Sequence, residues 1–599
     1  MTTAANVLQS RKDRLRDFTV DARLLVLSAM ALVVGATGAG AAWILLRLIA
    51  LVTNLAYFQR LSVAPVFLSH LHLAPWTIAI PVAGSLIVGL MARFGSPKIR
   101  GHGIPEAIEA ILIGQSRIGP KVALLKPLSS AIAIGTGGPF GAEGPIIMTG
   151  GAIGSLFAQL FHLSAPERKT MLVAGAAAGM TAVFGTPIAA VLLAVELLLF
   201  EWRARSFIPV AVAAIVAAVC RPWLLGAGPL FAFTEVPNMP WWGLGLCAAA
   251  GVIAGLQSAL TTILLYGVED LFRKLPVHWM WWLAIGGLVV GIGGLIDPAA
   301  LGVGYDNIRA LLDGGFDLHG TAVLLLDKAG IWIVALSSGT SGGVLAPLLI
   351  MGGALGNIEA HMMPFGSTGF WALIGMSAIL GGTMRAPLTS TLFAVELTGN
   401  SHLLPQLFVA SIAAFAVTVL IMRRSILTER IARRGQHISR EYAVDPYLHT
   451  RVAEIMAKPA HTLAASIPVG EVVAFFTNAE GRHRHKSYPV VDADGRLIGM
   501  VSRSDVLRWT REGWDPDLRL QDLADSSELV VGYPDELVRA LTDRMAVHDV
   551  GRVPILERAT RKVVGLVARR DLLRVRARVV HEERERRRML GPKLGEQVT

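Results

Sequence analysis

Long uncharged apolar runs, broken at intervals by Gly and Pro, constrain this chain more than any other feature. Residues 24–46, 74–92, 241–268, 275–296, 329–358 and 402–422 carry no Asp, Glu, Lys or Arg. A run of about 20 such residues is long enough to cross a bilayer. Inside lipid the backbone must satisfy its own polar groups, so these runs are expected to be helices. A buried core helix is the alternative for any one run; six of them predict a polytopic integral membrane protein. The composition agrees: 53% of residues are hydrophobic and 17% charged. The first run is too long, and too far from a small-residue cleavage site, for a signal peptide.

The formal charge of +11 suggests topology, not nucleic acid. Arg11, Lys12, Arg14 and Arg16 precede the first run; Arg93, Lys98 and Arg100 follow the second. Arg203 and Arg205, then Arg423 and Arg424, flank later ones. With the first and last clusters cytoplasmic, both termini lie inside, and the plasma (inner) membrane is the expected location. Cys220 and Cys247 sit in apolar surroundings, so neither a disulfide framework nor a thiolate metal site is expected.

The apolar part repeats itself. P-I-I-M-T-G-G-A-I-G from Pro145 matches P-L-L-I-M-G-G-A-L-G from Pro347, 202 residues on. P-I-A-A-V-L-L-A-V-E, ending at Glu196, matches P-L-T-S-T-L-F-A-V-E, ending at Glu396, 200 residues on. Repeats interrupted by Gly and Pro point to a transporter of two related halves, with its site where broken helices meet. Three such breaks stand out: G-H-G-I-P-E (101–106), G-P-F-G-A-E-G-P (138–145) and S-G-T-S-G-G-V-L-A-P (338–347). Each alone could be an ordinary kink. Together they suggest convergent helix N-termini, whose free N–H groups and positive dipole ends attract anions. Glu143 places a carboxylate at one of them. A charge in that setting is costly and usually has a task. It could hold the anion's place and surrender it when protonated.

These strings resemble the signature segments of the CLC family of chloride channels and chloride/proton exchangers: GSGIPE, GxxGxEGP and GGIFAP. R-A-P-L-T-S-T-L-F-A-V-E-L-T-G (385–399) resembles that family too. The resemblance covers about 24–434. It implies an all-α membrane domain of two inverted halves with tilted, partly spanning helices, working as a homodimer in the lipid bilayer. It also implies chloride as cargo and protons as a possible second one. Carried over by position, Glu143 matches the gating glutamate. The backbone near Ala142 and Gly144 would bind the anion on the outer side. Val344 and Leu345 would bind it centrally, and His102, Gly103 and Ile104 on the inner side.

Three positions depart from the family pattern. His102 replaces a frequent serine; its ring either turns aside or faces the anion. Leu427 stands where a tyrosine would contact the central anion. Leu197 stands where many exchangers carry an internal, proton-passing glutamate. Water, Glu196, Glu201 or His102 could take over that step, though Glu196 could equally be a helix-end carboxylate.

Past residue 430 the chain becomes charged, with short apolar runs. Two similar units follow. The first runs from V-A-E-I-M (452–456) through Y-P-V-V-D (488–492) to G-M-V-S-R-S-D-V-L (499–507). The second runs from L-A-D (523–525) through R-V-P-I-L (552–556) to G-L-V-A-R-R-D-L-L (565–573). They resemble a pair of α/β CBS domains, which implies a possible adenine nucleotide at Ser502, Asp505 and Asp571. Helix capping by Ser502 and Asp505 explains the same residues without a ligand. The expected division is an N-terminal segment 1–23, a transport domain 24–434, a linker 435–451, CBS units 452–510 and 520–580, and a charged tail 581–599. A CBS-regulated magnesium or other cation transporter is the alternative, but the spans offer few hard oxygen ligands. H-E-E-R-E from His581 lacks the second His of a zinc protease helix, so neither enzymatic activity nor a metal or other required cofactor is expected.

Overall fold

The computed structural model describes residues 22–69, 71–434, 447, 450–477, 486–523 and 529–577. The charged tail, most of the linker and nearly all of the N-terminal segment lie outside them. The chain divides into two units, Met1–Arg440 and Glu441–Thr599.

Among the described residues of the first unit, seven helical stretches are long and apolar enough to cross a membrane. The run at 24–46 extends to a helix over Arg23–Phe58. The run at 329–358 is not one span. It divides into helices Leu318–Ser337 and Leu345–Ala360, separated by the Gly-rich break. The first of these begins eleven residues before the uncharged run because it accommodates Asp327 and Lys328. A span over Ala204–Leu224 escaped the charge criterion because Arg205 and Arg221 trim its uncharged stretch.

The two halves repeat as structure. Helices Ile104–Leu112, Pro120–Gly135, Glu143–Leu160 and Ala165–Phe184 have counterparts in Tyr305–Leu312, Leu318–Ser337, Leu345–Ala360 and Thr368–Met384. Buried charges repeat with them. The fully buried Lys126 ammonium donates to the carbonyls of Ile99 (2.8 Å) and Gly101 (2.7 Å). Its counterpart Lys328, equally buried, donates to Ala300 (2.8 Å) and Gly302 (2.9 Å). Each lysine thus ties down the loop that enters a short helix.

The halves also cap one another. Glu196 accepts from the Thr389 amide (2.9 Å) and hydroxyl (2.5 Å) at the start of helix Pro387–Thr398. Glu396 accepts from the Ile188 (3.0 Å) and Ala189 (2.8 Å) amides at the start of helix Pro187–Leu193. Such reciprocity requires an approximate two-fold relation between the halves.

In the second unit, strands Leu463–Ala464, Ser487–Val491 and Leu497–Ser502 form one sheet, and Arg552–Leu556 pairs antiparallel with Val563–Ala568 in another. Helices Arg503–Glu512 and 569–577 follow the last strand of each. The two small units exchange the segments that open them. Val452 and Met456, read as opening the first CBS unit, pack in the core of the second with Val538, Val553 and Val567. Leu520 packs in the first, with Val490 and Trp509. Each small sheet leaves an apolar face that its own segment does not cover, and the exchange covers both.

Removing either reciprocal cap strips a helix N-terminus of its acceptor. Glu196→Ala and Glu396→Ala should each cost about 1–2 kcal/mol. Both should lower the thermal midpoint of the detergent-solubilised protein by similar amounts, since their settings are related by the repeat.

Candidate functional site

The three Gly/Pro breaks meet. The amides of Gly141 and Gly343 bond each other's carbonyls (3.3 and 2.9 Å), joining the break before helix Glu143–Leu160 to the one before helix Leu345–Ala360. Gly101 pairs with Ser341, and its amide donates to Thr340 (3.3 Å), so the third break joins the same cluster. Backbones approach too closely here for side chains. A Cβ on Gly144 would overlap the His102 carbonyl, and one on Gly103, at φ +93°, would overlap Gly144. Glycine is required at both by contact, and at Gly103 by conformation as well.

Glu143 lies in the first turn of its helix and is fully buried. Oε1 accepts from the Leu345 amide and more distantly from that of Ala346 (3.4 Å), at the start of the other half's helix. Leu345 is the repeat counterpart of Glu143 itself, 202 residues on. Among the described residues Oε2 finds no donor. Gly141 and Gly343 wall the carboxylate so closely that a Cβ on either would strike it. The pocket therefore holds one negative group against amides at a helix N-terminus, where its charge is favoured.

The other expected residues fall around this point. Ala142 and Val344 are the N-cap residues of the two helices, and Gly144 directly follows Glu143. Ile104 begins helix Ile104–Leu112, whose entry is fixed by the Gly103 amide donating to Glu106 (2.8 Å). His102 is only 2% exposed, and neither ring nitrogen has a partner among the described residues. A buried imidazole with an unused N–H is costly unless something accepts it. Leu427 is fully buried in the first turn of helix Ile426–Arg433. That helix reaches the His102 loop through Arg430, paired with Glu106 at 3.3 Å. Leu197 is buried in a π-helical stretch, Ala194–Leu199, and offers only an apolar side chain. Glu196 is engaged as a cap, and Glu201 bonds Ser206 (2.7 Å) and pairs with Lys169 (3.1 Å).

Sequence reasoning missed two participants. Ala346 supplies the second amide to Glu143. Tyr305 begins helix Tyr305–Leu312, which packs on helix Leu345–Ala360, and its buried hydroxyl has no partner among the described residues. A signal existed: G-V-G-Y (302–305) follows G-H-G-I (101–104) by 201 residues, in line with the other repeat pairs.

In the second unit, Ser502 and Asp505 line a cleft of about 260 Å³ with Met500, Val530, Arg552 and Pro554. They also bond each other as a capping box, Ser502 Oγ to Asp505 at 2.6 Å. Asp571 does not line this cleft. It is 4% exposed and accepts from the Ala568 amide (2.8 Å), as Asp505 does from the Ser502 amide (2.9 Å).

Comparison with known proteins gives a consistent result. The family model described as voltage gated chloride channel matches residues 83–419, and that of the CBS domain matches 452–512 and 521–578. The voltage-gated ClC-type chloride channel ClcB of Escherichia coli O17:K52:H18 is 30% identical over 380 residues, which are 61% of this chain and 89% of that protein. The structure of a slow cyanobacterial Cl−/H+ antiporter superposes with a TM-score of 0.61 at 22% identity, covering 69% of this chain and 99% of the other. A eukaryotic CLC transporter superposes at 0.56 with 19% identity, covering 92% and 98%.

The glycine walls make a direct prediction. Gly141→Ala, whose Cβ would strike the Glu143 carboxylate first, should force that carboxylate off the Leu345 amide, and Gly103→Ala should strain the loop by about 1–3 kcal/mol. The first should change transport with little loss of thermal stability. The second should lower the unfolding midpoint. Equal behaviour of the two in parallel flux and melting assays would contradict this assignment.

Proposed function

Because the chain belongs to the voltage-gated chloride channel family and carries a CBS pair after its membrane unit, we propose that it moves chloride across the membrane through the pocket that the Glu143 carboxylate fills. One observation carries this reading: Glu143 Oε1 sits on the Leu345 and Ala346 amides, donors that would equally serve an anion. Ionised, the carboxylate competes with chloride for them. Protonated, it loses most of its attraction to the amides and the helix dipole, swings aside and admits the ion. Amides and dipoles bind chloride without a full countercharge, which keeps release fast. His102 offers an unpartnered ring N–H on the inner side. Leu427 contributes an apolar wall where the family's tyrosine would donate.

The sign of the pH dependence follows. Lower pH protonates Glu143, so chloride flux through reconstituted vesicles should rise as pH falls. In Glu143→Gln it should be high and nearly flat with pH. A pH profile unchanged by Glu143→Gln would overturn the gate.

Proton coupling is a separate property. The family's internal glutamate is Leu197 here, and Glu196 and Glu201 are already engaged. Their engagement supports chloride movement without a relay through that route, leaving His102 or water to carry any coupled proton. Recording protons during chloride flux decides it. Chloride-driven proton uptake abolished by Glu143→Gln assigns exchange, and brisk flux without proton movement assigns a channel.

The family resemblance supports a homodimer, and the basic clusters support cytoplasmic termini in the plasma membrane. The cleft at Ser502 and Asp505 is the place for an adenine nucleotide, which would have to open the bond between those two side chains. Calorimetric titration of the full chain with ATP or AMP should give a heat lost in Asp505→Ala. Absence of any heat would leave the pair as helix caps.

A further inference from the structure

A cavity of about 420 Å³ lies against Tyr305, among the last turns of helices Arg23–Phe58 and Ala204–Leu224 and the loops beyond them. Three arginines line it: Arg47, Arg221 and Arg309. Among the described residues each hydrogen-bonds only backbone carbonyls. Arg47 donates to Val63 (3.1 Å), Arg221 to Gly226 and Gly228 (both 2.9 Å), and Arg309 to Leu230 (3.4 Å). Carbonyls orient a guanidinium but leave its charge uncancelled. The one carboxylate in the lining, Asp306, accepts from Ser69 instead. Arg221 is only 7% exposed, and its Nε has no partner among the described residues. The remaining wall is mostly apolar, with Leu68, Ile134, Leu224 and Phe231 prominent.

Three fixed positive charges against one negative, set in an apolar wall, specify a ligand. A cation is repelled. A neutral hydrophobe leaves the guanidinium charges without a counterion. A hydrated chloride leaves the apolar wall unused. The volume falls in the range of small-molecule pockets. We propose that this cavity binds an organic anion, an apolar body bearing one carboxylate or sulfonate, with its charge among Arg47, Arg221 and Arg309. Seated against Tyr305, whose helix packs on helix Leu345–Ala360 that holds the Glu143 carboxylate at its first turn, the anion closes the approach to the gate from that face. The closing step rests on the chloride-transport reading; the binding step does not.

The test is calorimetric titration of the full-length protein in detergent with 2-naphthalenesulfonate. Saturable binding is expected, at least ten-fold weaker in the Arg47→Gln/Arg309→Gln double variant and unchanged in Glu143→Gln. Should the double variant misfold, the native protein still decides. Uncharged 2-naphthalenemethanol should bind at least ten-fold more weakly than the sulfonate, and added salt should weaken the sulfonate. Equal binding of the two compounds, or no saturable heat, overturns the proposal. In vesicles the sulfonate, added on the side of the cavity, should inhibit chloride flux. Oleate in the vesicle lipid should do the same if the anion arrives from the leaflet, and inhibition by either supports the site. Binding without inhibition overturns the closing step. Binding to a protein that moves no chloride sinks the transport reading and leaves the binding site standing.

Discussion

A helix that starts inside a bilayer leaves N–H groups that water cannot reach, and each must find an acceptor within the protein. This membrane unit contains several such helices, and much of its tertiary structure answers that demand. Glu196 and Glu396 each cap a helix of the opposite half. Lys126 and Lys328 meet the converse need, donating to the carbonyls of the loops that enter the short helices. None of these contacts lies within one helix, so each binds together segments distant in the chain. The approximate two-fold relation lets one half supply what the other lacks.

Glu143 meets the same demand with a carboxylate that is itself fully buried. Glu396 uses both carboxylate oxygens on two amides, and Glu196 receives both an amide and a hydroxyl at one oxygen. Glu143, like Glu196, engages the other half's helix through one oxygen, but it is fully buried, and among the described residues its second oxygen has no donor. Glu196 and Glu396 leave no such buried oxygen unpaired. A carboxylate held between glycines with one oxygen unpaired has less to lose on leaving. The proposed gate thus uses the same interaction that ends a helix elsewhere in this molecule.

Much of this was legible in the residues. The apolar runs identified the membrane unit, and the matching strings 200–202 residues apart revealed its two halves. Glu143, conspicuous among glycines, marked the site. Where the reading fell short, buried charge was the cause. Arg205 and Arg221 hid one span, and Asp327 with Lys328 obscured the start of another. A hydropathy criterion penalises a lysine in a helix and cannot see that two carbonyls receive it. Likewise, the exchange of Val452 and Leu520 between the two CBS cores has no local signature, because each segment is amphipathic in its own right.

Sequence alone determined that this chain enters a bilayer, that it does so as two related halves, and that one carboxylate stands at a break between helices. Those facts follow from hydrophobic run length, repetition and residue type, all of which are local. Only the tertiary structure decided which amides that carboxylate meets. It turns from its own helix to the Leu345 amide, 202 residues away. It also decided that Glu196 is a fixed cap and that His102 keeps both ring nitrogens free of partners among the described residues. A hydrogen bond across two halves depends on their relative placement, and packing sets that placement.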